Sequence, residues 1–364
     1  MARATFLIAL LPAFARAEFT SYHLANPVGW MHMLPVGESP GWEKTSWFNL
    51  EVSQANIWST PITFTDRRNG DVYTFRADFE QTSAIAEIGF QLAPRVALAF
   101  EVPYANHNGG FLDDFIDQFH IFIQTDRFER NHYPKFQNLW TVTKNGNDLL
   151  APGHSEGVGN LKTKLKLWLK QWRGKAPGVC ECGLAVSVQV KFPMQAAAKG
   201  LSSGSHDYTG MIHFGFPFWQ ESGFWFSAAA TKLGKNKLFA GWPMRDWSQM
   251  YEGTVNLGLT QHWGFLMQMR YESPLFRKED LDILYSYSND HDQTVERVNS
   301  SWNSLVHWRG SEAVGFRYRF ANGSQANFLL VEDWGRGKYD SSGAWTYINN
   351  APDVEFVTQW HFVF

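Results

Sequence analysis

The last twelve residues, Asp353-Val-Glu-Phe-Val-Thr-Gln-Trp-His-Phe-Val-Phe364, decide the fold. One parity is mostly aromatic and the other mostly polar: Phe356, Thr358, Trp360, Phe362 and Phe364 alternate with Glu355, Gln359 and His361. Successive side chains of a strand point to opposite faces, so this alternation predicts a strand with one oily face and one wet face. Such a strand fits either the edge of a soluble sandwich or the wall of a membrane barrel.

The connections between strands separate these two alternatives. The alternation recurs from Ser46 onward and predicts twelve strands. Every second connection is short (93–95, 173–178, 220–223, 261–263 and 321–324), and the others are longer (around 59–71, 105–156, 194–205, 234–248, 276–308 and 335–352). An even strand number with short periplasmic turns and long extracellular loops is the rule for bacterial outer-membrane barrels. We therefore predict an all-β fold, a single antiparallel transmembrane β-barrel of about twelve strands over residues 46–364, in the bacterial outer membrane.

One stretch, Val72–Leu92, departs from simple alternation. Its apolar side chains lie on odd positions up to Phe79 and on even positions from Ala86. Because one extra residue shifts the facing of all that follow, we expect one long strand with a bulge near Gln81–Ser83. On this interpretation Asp78 and Glu80 face the lumen.

The N-terminus has the features of a secretory signal. Arg3 precedes an apolar run from Phe6 to Leu11, and Ala15-Arg16-Ala17 is a small-x-small cleavage site. We predict a signal peptide at residues 1–17. Residues 18–45 are rich in Gly and Pro, lack a period and carry aromatic side chains, so they are either a periplasmic lead-in or a plug segment in the lumen.

Composition limits the partners. Removal of Arg3 and Arg16 with the signal peptide would leave 30 of the 32 basic residues against 35 acidic ones, a net charge of −5. Without a basic excess, nucleic acid is not an expected partner. Cys180 and Cys182 are too few for a disulfide scaffold, and we interpret them as apolar-face residues. No phosphate-cradling glycine loop and no zinc spacing is present, so we predict no cofactor and no metal.

The longest predicted loop contains an amphipathic helix. Leu112, Phe115, Ile116, Phe119 and Ile123 recur at helical spacing, and the pair Gly109-Gly110 would let the chain turn into it. Asp113, Asp117 and His120 share another face. The helix could fold inward and constrict the lumen, or it could pack at the barrel mouth or on the outer leaflet. A divalent cation on the three polar side chains is a further alternative.

A row of basic side chains is the second candidate site. Inward positions of Val158–Trp172 carry Lys162, Lys164, Lys166 and Lys170, and later strands add Arg270, Arg317 and Arg319. Such groups are costly in hydrocarbon, so they indicate a wet lumen. The lumen either attracts anions or is internally salt-bridged by inward acids such as Glu87 and Glu101; both alternatives stay open.

Residue types suitable for catalysis adjoin at His154-Ser155-Glu156 and at Ser205-His206-Asp207. Adjacent residues of an extended segment point apart, and a catalytic triad is defined by geometry rather than by order. We therefore do not predict an enzyme, and we keep a barrel-embedded, phospholipase-like enzyme as an alternative.

Three of these stretches resemble known proteins. The closing strand resembles those of outer-membrane barrels, which end in an aromatic residue; this implies that the barrel-assembly machinery recognises the strand ending at Phe364. The segment Gly109-Gly-Phe-Leu-Asp-Asp-Phe-Ile-Asp-Gln-Phe-His120 and the strand opening Gly157-Val-Gly-Asn160 resemble a family of proteobacterial outer-membrane proteins known only as a domain of unknown function, DUF3187. Asn160 stands where such families often carry Asp. The resemblance implies an outer-membrane barrel and assigns no activity.

These observations lead to one functional hypothesis and two alternatives. We expect a channel or porin-like conduit for small polar solutes, constricted by the 105–156 loop and in contact with outer-membrane lipid. The alternatives are the lipid-modifying enzyme and a closed structural or surface-contact barrel.

Overall fold

The computed structural model describes residues 21–41, 46–123, 133–150, 153, 155–172, 182–194, 199–219, 222–288, 294–298, 306–334, 338–339, 345–346 and 352–364. The predicted signal peptide and Cys180 lie outside these ranges, and the side chain of Cys182 is not described.

Twelve antiparallel strands form the barrel wall. In chain order they are β1 (Trp47–Asp66), β2 (Val72–Ala93), β3 (Val96–Asn108), β4 (Leu161–Trp172), β5 (Cys182–Phe192), β6 (Asp207–Trp219), β7 (Ser222–Lys232), β8 (Trp247–Gly258), β9 (Trp263–Glu272), β10 (Arg309–Arg319), β11 (Gln325–Trp334) and β12 (Pro352–Val363). The first strand pairs with β2 and also with the last, from Trp47↔Val363 to Ile57↔Pro352. This ladder closes the sheet and leaves the wall no free edge, which confirms the predicted barrel.

The faces of β12 are those that the sequence predicts. Glu355, Gln359 and His361 are buried in the interior, whereas Phe356 and Phe362 are exposed outside. Outward positions of other strands also expose apolar side chains, among them Phe100, Val102, Leu165, Leu167, Val188, Phe214, Phe316 and Phe328. An apolar outer surface around a polar interior suits a barrel embedded in a bilayer.

The prediction of a bulge in β2 is wrong. Gln81–Ser83 pairs in regular register with both β1 and β3. Odd positions are buried along the strand, and their chemistry changes from aromatic at Tyr73 and Phe75 to polar at Ser83 and Glu87. The switch in the sequence therefore reflects an interior that is apolar at one end and polar at the other. Asp78 and Glu80 accordingly lie on the outward parity.

The two ends of the barrel differ in their connections. At the short-turn end, β2 and β3 are joined by residues 94–95, and β8 and β9 by residues 259–262. At the long-loop end the predicted loop 59–71 is mostly strand, because β1 and β2 extend to a five-residue turn at 67–71. These extensions gain partners from the loops, so they pair beyond the lipid-facing wall.

The long loops carry further short elements. Leu139–Lys144 pairs with β2 and with Asn147–Leu150, and Ser155–Val158 pairs with β3. Leu281–Ser288 pairs with Thr294–Val298 and with β1, and Lys338–Tyr339 pairs with Trp345–Thr346. Residues 105–156 therefore contain strands that the sequence interpretation missed. The named helical elements of the described residues are α1 (Pro27–Met31), α2 (Leu112–Ile123) and a 3-10 turn, Lys278–Asp280. Among the described residues, no helix has the length and apolarity to cross a membrane.

Candidate functional site

Residues 21–41, which we call the inner segment, lie inside the barrel. Nearly all of their side chains are buried. Inward side chains of the wall bind their backbone: the Gln359 amide donates to the Ser21 carbonyl at 3.0 Å, and the Ala25 N–H donates to Glu355 at 3.1 Å. Irregular backbone at membrane depth requires such partners, because hydrocarbon offers none.

The clearest ionic contact of the inner segment is at Glu38. One carboxylate oxygen pairs with Lys164, and the other lies 3.0 Å from the Lys166 ammonium. Lys166 also donates to the Ser39 carbonyl at 2.9 Å, and Lys164 pairs with Glu87 at 2.7 Å. We call Lys164 and Lys166 the basic pair. Both side chains are buried, so each depends on opposite charge close by.

At His23 the polarity is reversed: the inner segment supplies the basic side chain and the wall supplies the carboxylates. The His23 ring nitrogens lie 3.3 Å from Glu51 and 3.1 Å from Glu101. The ring therefore lies between a carboxylate of β1 and a carboxylate of β3.

Two more residues, Asp207 and Asn160, fix the middle of the inner segment. Asp207, at the start of β6, accepts from the Met33 N–H at 2.7 Å and pairs with Lys191 at 2.8 Å and His32 at 3.3 Å. The Asn160 amide donates to the Met31 carbonyl at 3.2 Å. An amide can donate to a carbonyl where a carboxylate could not, so Asn160 is suited to this contact.

Arg270 centres a charged cluster on β9. Its guanidinium lies 2.8 Å from Glu252 and 3.7 Å from Glu272. The Tyr22 ring lies 5.1 Å from the guanidinium carbon, and the Tyr22 hydroxyl is 2.9 Å from that of Ser311. This predicted inward arginine thus contacts both the wall and the inner segment.

Three further predicted basic residues lie on inward positions. Lys162 pairs with Glu101 at 2.7 Å. Arg317 is buried and Arg319 half-buried on the inward parity of β10. Together with Arg270 and the basic pair, they belong to an interior of interleaved charges.

Lys170 departs from the predicted lysine row. The register of β4 shifts between Trp168 and Lys170, which places Lys170 opposite Leu184. Leu184 has the outward parity of β5, and Lys170 is exposed. The prediction of an inward lysine is wrong here. A bulge adds one residue to the strand and reverses the facing of the residues after it, and strict alternation of the sequence does not show such a bulge.

An aromatic cluster, which we call the aromatic cap, fills the interior at the long-loop end. Trp242 is its centre, with its ring centroid 4.3 Å from Tyr73, 4.7 Å from Phe239, 5.1 Å from Phe276 and 5.6 Å from Phe64. The cap also includes Phe75, Phe79, Trp140, Val142 and Leu150, and it contacts Ala25, Val28 and Met31 of the inner segment. The predicted 105–156 loop thus contributes side chains to the cap from its hairpin at residues 139–150.

The helix α2 lies outside the wall, in agreement with the alternative that it packs on the outer surface and in contrast to the alternative that it constricts the lumen. Leu112 and Ile116 pack on Val354, with Leu330 beside them, and the Phe115 ring lies 5.5 Å from that of Phe356. All three wall residues have outward parity. The apolar stripe of α2 has partners on this surface, and the interior at this level is already occupied by the cap.

The entry to α2 follows the predicted glycine turn. Gly110 has φ +58°, and a Cβ there would lie 1.7 Å from the Glu80 carboxyl carbon. That carboxylate accepts from the Leu112 N–H at the start of the helix. An anion at a helix N-terminus is favourable, which explains the outward, covered carboxylate on β2.

The acidic face of α2 is engaged by neighbouring chain. Asp113 accepts from the Asn56 amide at 2.8 Å and from the Phe136 N–H at 2.6 Å, and Asp117 pairs with Lys135 at 2.6 Å. The His120 side chain lies outside the described residues. Among the side chains that are described, no group of three or more His, Cys, Asp or Glu could hold a metal ion.

The placement of α2 can be tested with spin labels. Phe122 is 82% exposed on α2, and α2 packs on the outer surface of the wall through Leu112, Ile116 and Phe115. A label at Phe122→Cys is therefore expected to collide mainly with oxygen, which partitions into lipid. The control is Asp114→Cys, whose native side chain is 68% exposed on the polar face; it should collide mainly with a water-soluble nickel complex. Both variants would carry serine at positions 180 and 182. Equal nickel accessibility at both positions would contradict contact with lipid.

A small cavity lies beside the inner segment in the polar part of the lumen. It is lined by His23, Glu51, Glu101 and Gln359 and has a volume of about 30 Å³. That volume holds about two water molecules, so this cavity does not accommodate a solute while the inner segment is in place.

The described members of the two triplets of catalytic residue types make other contacts. Asp207 is buried among its partners on the inner segment and Lys191, whereas the adjacent His206 is exposed. Ser155 donates to the Lys199 carbonyl at 2.5 Å, and His154 lies outside the described residues.

The closed wall, its apolar outer surface and its charged interior define an integral β-barrel protein of the bacterial outer membrane. The chain belongs to the family described as "protein of unknown function (DUF3187)", whose family model matches residues 27–289. None of the curated proteins compared matches the chain.

Three solved structures of outer-membrane proteins are similar in fold to this chain. One is the COG4313 outer membrane channel from Pseudomonas putida F1, with 12% identity, 92% of this chain and 98% of that chain covered, and a TM-score of 0.47. Another is a Pseudomonas aeruginosa FadL homologue, with 8% identity, coverages of 95% and 99%, and a TM-score of 0.38. A third is the P. putida toluene transporter TodX, with 9% identity, coverages of 95% and 96%, and a TM-score of 0.35. At these values no activity is carried over to this chain.

Proposed function

We propose that the protein is a gated outer-membrane channel for small polar solutes, and that the inner segment is its plug. The observation that carries the proposal is the contact of Glu38 with the basic pair. These buried wall lysines contact a carboxylate that lies on a short segment preceding the barrel, and not only carboxylates of the wall. When the segment leaves, a charged and wettable lumen remains.

The size of the barrel supports a conduit. Barrel diameter grows with strand number: eight strands leave an interior that side chains can fill, and sixteen or more leave an aqueous channel. A twelve-stranded wall lies between these cases, so its interior needs extra chain to be filled. The inner segment and the aromatic cap supply that chain here.

The gate would have two layers. The inner segment fills the polar part of the lumen, and the aromatic cap closes the long-loop end, which we assign to the cell exterior. Ala25, Val28 and Met31 contact the cap, so withdrawal of the inner segment would also remove support from the cap. The hairpin at 139–150, rather than α2, is the part of the 105–156 loop that constricts the barrel.

Planar-bilayer conductance tests this function. The closing ladder of β1 and β12 begins at Trp47, so a variant lacking residues 21–41 retains every strand contact of the wall. We expect wild type to be mostly closed and the variant to conduct steadily. Heat-modifiable migration on a gel controls for barrel folding. A folded variant that stays non-conducting would contradict the proposal and favour a closed structural barrel.

Assembly and orientation complete the proposal. The short-turn end and both termini would face the periplasm. The barrel-assembly machinery would recognise the closing strand, β12, together with the terminal Phe364.

A further inference from the structure

We propose that the basic pair is a carboxylate-binding subsite of the channel. Glu38 occupies it in the closed barrel, and a small organic carboxylate that carries an apolar group occupies it when the inner segment withdraws. This inference rests on the proposed channel and names its class of solute.

The geometry at Glu38 is that of a bound carboxylate. Lys164 contacts one of its oxygens, and the Lys166 ammonium lies 3.0 Å from the other. Each ammonium group contacts a different oxygen, so a carboxylate makes charge-assisted contacts with both lysines at once, and such contacts are about twice as strong as neutral hydrogen bonds. The ligand that the structure shows in this site is a side chain of the protein itself.

Burial makes the site depend on an anion. The side chains of Lys164 and Lys166 are 9% and 2% exposed. The wall carboxylate at Glu87 lies 2.7 Å from Lys164, but it also accepts from Trp47 at 2.9 Å and Asn49 at 2.8 Å. Counting only the side chains that the structure describes, withdrawal of Glu38 would leave two ammonium groups against the single carboxylate of Glu87 in a poorly solvated place. An incoming carboxylate restores the balance.

The neighbours of the basic pair favour an apolar group on the ligand. The Lys166 ammonium lies 5.5 Å from the centre of the Trp168 ring. Trp168 packs with Trp47, Ala97, Ala99 and Ala185 in one buried cluster at the short-turn end. In the closed barrel the Trp168 indole donates to the Gly41 carbonyl, so the inner segment runs across this surface. Its withdrawal would expose an indole beside two ammonium groups.

Calorimetric titration of the full chain with benzoate tests the subsite. The variant Glu38→Ala removes the internal carboxylate, and we expect it to bind benzoate at least about tenfold more tightly than wild type, as for a charge-assisted hydrogen bond. Benzamide, the neutral analogue of similar shape, should bind weakly. Adding Lys164→Gln and Lys166→Gln should abolish benzoate binding, whereas adding Lys170→Gln, on the outer face of the same strand, should not.

The outcomes separate this inference from the channel itself. Equal binding of benzoate and benzamide, or benzoate binding that survives loss of the basic pair, overturns the subsite. In bilayers, loss of the basic pair should also lower the permeability to benzoate relative to chloride; an unchanged ratio in a conducting barrel overturns the subsite and leaves the channel. Benzoate binding to a barrel that never conducts supports the subsite and overturns the channel.

Discussion

Replacing Glu38 with lysine is expected to open the barrel. The substitution places a third ammonium group against Lys164 and Lys166, with which Glu38 now forms buried ion pairs. Breaking a buried pair costs about 3–5 kcal/mol, and each 1.4 kcal/mol is a factor of ten. The closed population should therefore fall by about a hundredfold or more. Single-channel recording would show this as a shift from brief to sustained openings.

Two companion variants separate the charge effect from misfolding. Glu38→Gln keeps the shape of the side chain and removes its charge, so it should give an intermediate open probability. Combining Glu38→Lys with Lys166→Glu restores an opposite pair and should close the barrel again in part. If Glu38→Lys folds and stays as closed as wild type, the ion pairs do not hold the inner segment in the lumen.

Replacing Trp242 with alanine is expected to loosen the aromatic cap without disturbing the wall. Trp242 touches Phe64, Tyr73, Phe239 and Phe276, and truncating a core tryptophan costs about 3–5 kcal/mol because a cavity remains. The cost falls on packed loops at the long-loop end, so the barrel itself should persist. Hydrogen exchange should accelerate in the cap segments 73–79 and 139–150, and conductance should become noisier.

The matched control is another tryptophan. Trp247, at the start of β8, is 55% exposed outside the barrel, so Trp247→Ala should leave exchange in the cap unchanged. Equal acceleration of exchange by both substitutions would mean that the effect is general and that Trp242 has no special place in closing the mouth.

Much of the wall was predictable because its determinants are local. Alternation in β12 assigned Phe356 outward and Glu355 inward, and its recurrence along the chain predicted the strand number. The sorting of short and long connections distinguished a membrane barrel from a soluble sandwich. Gly110 marked the turn into α2, because only a residue without Cβ fits beside Glu80. The alternation pattern predicted the wrong facing in two places. One is Lys170, which follows a bulge, and the other is the end of β2 whose inward side chains are aromatic.

The candidate site was predictable only in part. The lysines of β4 were found as a row, but the carboxylate that contacts two of them is Glu38, more than a hundred residues away in the chain. A signal was present: acids and histidines in a Gly- and Pro-rich segment next to a barrel with buried cations. Nothing local distinguished a lead-in from a segment inside the lumen.

By itself the sequence determined a closed, twelve-stranded, lipid-facing wall, because side-chain period and turn length are properties of neighbouring residues. Only the tertiary structure decided what fills that wall. The inner segment and α2 both carry apolar and charged side chains, so each could satisfy its groups inside or outside the barrel. The choice depended on partners brought close by closure of the sheet: the basic pair for Glu38, and the outer surface of β12 for α2.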